Sequence, residues 1–460
     1  MSRLPVLALV GRTNVGKSTL FNRLTHSRDA LVSDLPGLTR DRQYGFGALD
    51  ERRFIVVDTG GLMSGGDALA RMAERQARAA LDEADTVLFV VDVRAGLTGA
   101  DRELADDLRK RGKPVFVAAN KSESLGPESA AEFFGLGLGE PWAISAEHGQ
   151  GVEALLAAAL AGLADGAPEA DEKDDGAIRV AIVGRPNVGK STLVNRLVGE
   201  DRVLAHGEPG TTRDAIAVPF ERDGQRYVLV DTAGIRRRAR VEEHVEKLSV
   251  VKSLQAIERA DVVIAVVDAQ SEIGVHDARL LGLAAQRGRG LVLAVNKWDG
   301  LTPGARERVS SDVDFKLPFL DFMPVHHISA MHGSGLAGLM ADVREVYEST
   351  RRELPTPALT RALEAAVEKN QPPAVVGRRI KLRYAHAGGR NPPVIVVHGN
   401  QTERLPGSYK RYLANEFRAA FQLKGVPVVV EFRTGDNPYK GRNNELTPRQ
   451  RKRRQRVRGR

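Results

Sequence analysis

No cysteine occurs in the 460 residues, which excludes a disulfide framework, a zinc–thiolate site and a thiol nucleophile. Such a chain suits a reducing compartment, and the expected location is cytoplasmic. Long apolar runs are missing as well. No stretch approaches the roughly 20 apolar residues of a membrane span, so no membrane partner is expected. The run from Leu4 to Val10 is too short for a secretory signal and leads straight into a glycine-rich pattern, so it reads as a buried strand. The bulk composition is ordinary, with 42% hydrophobic and 28% charged residues in a length that suits three domains.

The net charge of +9 conceals a gradient. Residues 351–460 hold 25 Lys/Arg against 8 Asp/Glu, whereas residues 1–350 hold 43 against 51. A basic C-terminal quarter on an acidic body points to a polyanionic partner, nucleic acid being the usual one. Residues 440–460 carry ten Lys/Arg and one Glu, a composition that predicts a segment disordered alone and drawn to phosphates.

The chain repeats itself. VLALVGRTNVGKSTLFNRL at 6–24 returns as RVAIVGRPNVGKSTLVNRL at 179–197, PGLTRD at 36–41 as PGTTRD at 209–214, and VVDTGGL at 56–62 as LVDTAGI at 229–235. All three pairs are offset by 173 residues, while the later landmarks Asn120/Asn296 and Ser145/Ser329 drift to 176 and 184. That is a duplicated domain with variable later loops, not a short-period solenoid. In the first copy, apolar runs at Val6–Val10, Phe54–Val57, Val87–Val91 and Val115–Ala119 alternate with helical stretches. The pattern predicts a doubly wound α/β fold with a mostly parallel sheet.

Each copy opens with GxxxxGKS, Gly11–Ser18 and Gly184–Ser191. A triphosphate needs many N–H donors at close range, which a glycine-rich loop opening a helix supplies. The loop residues Gly11, Asn14, Val15, Gly16 and Thr19, with Gly184, Asn187, Val188, Gly189 and Thr192, are therefore assigned to the nucleotide. Lys17 and Lys190 are expected on the β- and γ-phosphates, and the Ser18 and Ser191 hydroxyls on Mg²⁺. DxxG follows as Asp58–Gly61 and Asp231–Gly234. Its carboxylate is expected to hold Mg²⁺ through water, and the N–H of Gly61 or Gly234 to meet the γ-phosphate. Thr39 and Thr212 lie where a switch threonine closes over both.

Base choice is written in Asn120-Lys121-Ser122-Glu123 and Asn296-Lys297-Trp298-Asp299. A carboxylate that accepts the ring N–H and the exocyclic amine of guanine rejects adenine, so both copies select GTP and GDP. Ser145-Ala146 and Ser329-Ala330 begin the loop expected to donate a backbone N–H to the guanine carbonyl. Glu123 departs from the usual aspartate by one methylene, which predicts looser reading in the first copy.

Glutamine is absent after DxxG, where Leu62 and Ile235 stand instead. An aliphatic side chain cannot orient the attacking water, so slow intrinsic turnover is expected. Asn14 and Asn187 sit where related GTPases bind K⁺ between the phosphates, and such an ion would stand in for an arginine finger; the alternative is a loop asparagine bonding its own backbone. After DTAGI the second copy carries Arg236, Arg237, Arg238 and Arg240, where the first has MSGGD. Different switch partners are expected, the second suited to RNA or an acidic surface, with a solvated charge run as the alternative.

The tandem P-loops, the PG[LT]TRD, DTGGL and DTAGIRRR segments and the small basic C-terminal region together resemble the EngA/Der family of bacterial double GTPases. The resemblance covers nearly the whole chain. It implies GTP-dependent maturation of the large ribosomal subunit, with rRNA or a ribosomal precursor as partner, and a monomer is expected. The domains then run 1–164 (first GTPase), 165–176 (acidic linker), 177–350 (second GTPase), 351–439 (KH-like) and 440–460 (basic tail). In the KH-like region the pattern predicts helix 359–370, strand 379–384, strand 393–397, helix 408–423 and strand 426–432. No GXXG loop is present to clamp RNA backbone; the turn reads Leu423-Lys424-Gly425. Tyr409, Tyr412, Leu413, Phe417, Ala420 and Phe421 read as a core stripe. His326, His327, His386 and His398 lack metal-ligand spacing or company and read as structural. The competing function is an RNA-binding scaffold in which one GTPase copy only senses nucleotide.

Overall fold

The structure is a computed structural model that describes residues 3–25, 44–50, 52–60, 81–123, 125–163, 176–200, 202–203, 217–230, 250–318, 321–373, 380–389, 392–402 and 405–434. They form two compact units. One takes residues 1–352 with 390–393 and 422–427, and the other takes the remainder of 353–460.

In the first GTPase copy, β1 (Val6–Val10) is apolar throughout and buried throughout, because both faces of a central parallel strand are covered. It leads through the P-loop into α1 (Lys17–Leu24). β2 (Tyr44–Leu49) and β3 (Arg52–Asp58) make an antiparallel hairpin, followed by β4 (Thr86–Asp92), α2 (Gly99–Lys110), β5 (Val115–Asn120), β6 (Trp142–Ile144) and α3 (Val152–Leu160). The sheet order is β2-β3-β1-β4-β5-β6, parallel except at the β2 edge. Alternate residues feed two cores. Leu7, Leu9, Phe54 and Leu88 meet Leu20 and Phe21 of α1, while Val6, Ala8, Phe89 and Val91 meet Leu108 of α2. All four expected strands of this copy are present. The β2 edge strand was not foreseen.

The second copy repeats the plan with β7 (Ile178–Val183), α4 (Lys190–Glu200), β8 (Arg202–Val203), β9 (Val218–Arg222), β10 (Gln225–Leu229), α5 (Val250–Arg259), β11 (Val262–Asp268), α6 (Val275–Gln286), β12 (Gly290–Asn296), α7 (Pro303–Lys316), β13 (Val325–His327) and α8 (Leu336–Thr350). Its sheet order is β13-β12-β11-β7-β10-β9-β8.

The copies share a junction inside the first unit. The Leu4 N–H donates to Gln255 Oε1 at 2.9 Å, and Gln255 Nε2 returns a bond to the Leu4 carbonyl at 2.7 Å. Glu258 of α5 pairs with Arg53 of β3 at 2.8 Å and with Arg287 at 3.0 Å, and Arg289 donates to its backbone carbonyl. The Arg287 guanidinium lies 4.0 Å from the centroid of the Phe46 ring. Burial pulls the Arg287 pKa down to about 10, against the pull of Glu258, so it stays cationic near neutrality.

The second unit carries α9 (Thr356–Lys369), β14 (Leu382–Gly389), β15 (Val394–Gly399), α10 (Gly407–Phe421) and β16 (Val429–Thr434). The αββαβ order is as expected, with β14 running later than 379–384 by pairing through Gly389 with Val394. Of the expected stripe on α10, Tyr409, Leu413 and Phe417 are buried, Tyr412 and Phe421 are half-buried, and Ala420 is exposed; Ala414 is buried beside them. Residues 422–427 belong with the GTPase unit, where Lys424 pairs with Asp342 at 2.8 Å and Glu345 at 2.7 Å. The acidic linker, apart from Gly176, and the basic tail lie outside the described residues.

Candidate nucleotide sites

Each P-loop is held open by residues that leave the ordinary backbone regions. Gly16 and Gly189 both sit at φ +97°, and a Cβ on either would overlap the amide nitrogen of Asn120 or Asn296. Only glycine fits there. Asn14 and Asn187 take φ +64° and +60°, a left-handed conformation that asparagine tolerates better than most residues. Val15 and Val188 are buried and anchor the loop to the core.

Lys17 is buried and donates to the Gly11 and Arg12 carbonyls at 2.9 and 2.5 Å. Burial holds its pKa below the usual lysine value, and nearby Asp58 opposes the shift. Its counterpart Lys190 donates to the Arg185 carbonyl. An ammonium folded onto its own loop is a donor already aimed at the space a phosphate would enter. Ser18 Oγ donates to Asp58 Oδ2 at 3.2 Å, and the Gly60 N–H to Asp58 Oδ1 at 3.0 Å. That all-oxygen pair is a donor set suited to Mg²⁺. Ser191, Thr19 and Thr192 begin the corresponding helices. Thr39, Gly61, Leu62, Thr212, Asp231, Gly234, Ile235 and Arg236–Arg240 lie outside the described residues.

The asparagines of the base motif act as ties. Asn120 Nδ2 donates to the Val15 carbonyl at 2.8 Å, and its Oδ1 accepts from the Ala146 N–H at 2.9 Å. Asn296 repeats both bonds with Val188 and Ala330, at 2.8 and 2.9 Å. One side chain thus joins the P-loop to the loop that starts at Ser145 or Ser329. Both serines are buried and donate to the carboxylate that closes the motif, Glu123 or Asp299. Glu123 is held below the usual carboxylate range by its own backbone N–H, then by the Ser145 hydroxyl. Asp299 is held low by the Ser329 hydroxyl, then by its own N–H.

Sequence reading missed a second set of supports. Lys121 pairs with Asp92 and Lys297 with Asp268, each at 2.5 Å, and Lys121 also donates to the Asn14 carbonyl at 3.0 Å. The P-loop arginines are pinned alike, Arg12 to Asp101 at 2.8 Å and Arg185 to Asp277 at 2.8 Å. The 176-residue offset that relates Asn120 to Asn296 also relates Asp92 to Asp268 and Asp101 to Asp277, so the repeat carried that signal. Arg94 and Glu123 form a pair at 2.5 Å with no counterpart motif.

Two histidines read as solitary have company. His386 of β14 and His398 of β15 face each other at 3.1 Å between Nε2 atoms, with the Tyr384 ring 4.4 Å from His398. Among the described residues no group of three or more His, Asp or Glu side chains is placed to hold a metal. No helix among them is long and apolar enough to cross a membrane.

The comparisons with known proteins agree with this double site. The family model described as "50S ribosome-binding GTPase" matches residues 6–121 and again 179–297. That described as "KH-domain-like of EngA bacterial GTPase enzymes, C-terminal" matches residues 353–433. The protein named GTPase Der from Methylococcus capsulatus is 56% identical over 99% of both chains. GTPase Der from Thioalkalivibrio sulfidiphilus is 56% identical, covering 99% of this chain and 98% of its own. GTPase Der from Citrobacter koseri is 52% identical with the same coverage.

Proposed function

The chain belongs to the GTPase Der (EngA) family, and from that premise we propose that it is a two-site nucleotide switch in maturation of the large ribosomal subunit. It is a GTP-hydrolysing enzyme by family. The observation that carries the reading is that one grip is built twice, down to the paired bonds of Asn120 and Asn296 at matching distances.

In this reading the P-loop N–H groups and Lys17 or Lys190 hold the phosphates, and Thr39 or Thr212 and the N–H of Gly61 or Gly234 close on the γ-phosphate. Ser18 with Asp58, and Ser191 with Asp231, would hold Mg²⁺, which neutralises phosphate charge when bound. Glu123 and Asp299 read guanine, ionised and kept so by their own backbone N–H groups and the serine hydroxyls. K⁺ at Asn14 and Asn187 adds positive charge where Leu62 and Ile235 supply none, and turnover without a partner is slow. Both asparagines already sit at positive φ in the described structure, a backbone role that stands beside the ion-binding one.

The net +17 of residues 351–460 supports rRNA of the large subunit or its precursor as partner, met by a cytoplasmic monomer. Sedimentation of ribosomal subunits with the full chain, loaded with GTP in one arm and GDP in the other, tests this. Co-sedimentation with the large subunit in one state and release in the other is expected. Identical profiles in the two states would refute the switch.

A further inference from the structure

The two sites differ at the edge where guanine is read. In the first copy the tight turn Val93–Ala95 places Arg94 beside the base motif, and its Nη2 donates to Glu123 Oε1 at 2.5 Å. The turn is not free to drift. Asp92 accepts the Arg94 backbone N–H at 3.0 Å and the Lys121 ammonium at 2.5 Å, so a single carboxylate fixes Arg94 and the base motif together. In the second copy Asp268 makes the same two bonds, to the Gln270 N–H at 2.9 Å and Lys297 at 2.5 Å. The residue presented there is the neutral Gln270; His332 lies 3.3 Å from Asp299, and its counterpart His148 likewise acts electrostatically on Glu123, so Arg94 is what sets the first site apart.

A guanidinium can offer a carboxylate two parallel N–H donors, and Arg94 gives Glu123 one of them, to Oε1. Guanine offers its ring N–H and exocyclic amine in the same parallel fashion. A carboxylate engaged by one therefore has less to give the other, and the extra methylene of glutamate carries the acceptor out to the cation. We propose that Arg94 sets the strength of base recognition in the first site by competing with guanine for Glu123, so that this site holds guanine nucleotides more weakly than it otherwise would. The proposal rests on the reading of Glu123 as the guanine acceptor.

The test uses the full chain with the second site silenced by Lys190→Ala, titrated with fluorescently labelled GDP at fixed salt. Arg94→Gln, which installs the residue of the second copy, is expected to tighten GDP about three-fold, the size of an exposed ion pair. The same substitution in a Glu123→Ala background is expected to change nothing, since the shared acceptor is gone. Weaker or unchanged binding by Arg94→Gln alone overturns the competition. An undiminished gain in the Glu123→Ala background overturns it too. Glu123→Ala by itself, with labelled ADP as the control, checks the underlying reading separately. If preference for GDP over ADP survives that change, Glu123 is not the guanine acceptor.

Discussion

The two GTPase copies agree around the P-loop and part company at the carboxylate that closes the Asn-Lys motif. Asn120 and Asn296 tie loop to loop through bonds of equal length, and Asp92 and Asp268 each hold a lysine at 2.5 Å. At the carboxylate that closes the Asn-Lys motif both copies bring up a histidine, His148 or His332, but only Glu123 is also paired with an arginine among the described residues, Arg94. Phosphate chemistry tolerates little variation, because every N–H must converge on the same charged oxygens. In the proposed reading, base recognition rests on one carboxylate, whose neighbours can change without dismantling the loop. Duplication has left a fixed chassis with two different settings.

The comparison is broken most severely at the junction that joins the copies. Glu258→Ala leaves Arg287 and Arg289 in a largely covered site without their shared anion. A loss of about 3 kcal/mol in chemical denaturation is expected, with Arg53→Ala costing less because that arginine is more exposed. Next come the P-loop lysines. Lys17→Ala and Lys190→Ala are each expected to lower single-turnover GTP hydrolysis at their own site on the order of 10²-fold. A variant that keeps the full wild-type rate would show that its site hydrolyses nothing and would favour the scaffold-with-sensor alternative. Gly16→Ala and Gly189→Ala force a side chain against the asparagine tie at φ +97°. They should weaken GDP binding by about 2 kcal/mol each and by similar amounts, since that part of the two sites is alike. The smallest effect is ionic. Hydrolysis should run a few-fold faster in KCl than in NaCl at equal ionic strength, and equal rates would remove K⁺ from both sites.

Much of this was legible in the sequence because the chemistry leaves few choices. A glycine at Gly16, a lysine at Lys17 and an asparagine at Asn120 are demanded by contacts that no other side chain makes. The central strands were legible for a related reason: with both faces covered, Val6–Val10 and Thr86–Asp92 have almost no polar residue to disguise them. What escaped depends on register. Strand β2 reads YGFGAL, and its glycines weaken any strand signal. They are required by space, since a Cβ at Gly47 would run into the Phe54 ring. His386 and His398 are brought together only by the antiparallel pairing of β14 and β15. Arg94 carries no motif of its own, and only the Asp92 clamp brings it to Glu123.

The Leu4–Gln255 bonds place a constraint on how the chain is made. The amide and carbonyl of Leu4 find their partners 251 residues later, on a helix of the other GTPase copy. At a synthesis rate of about 5–20 residues per second, roughly 13–50 s separate the emergence of the two ends of that contact. The first sheet can assemble on the ribosome in that interval, but its lower rim stays wet until α5 arrives. Docking of the copies is thus a late, separate event in biosynthesis, and a newborn first domain must remain soluble with that rim uncovered.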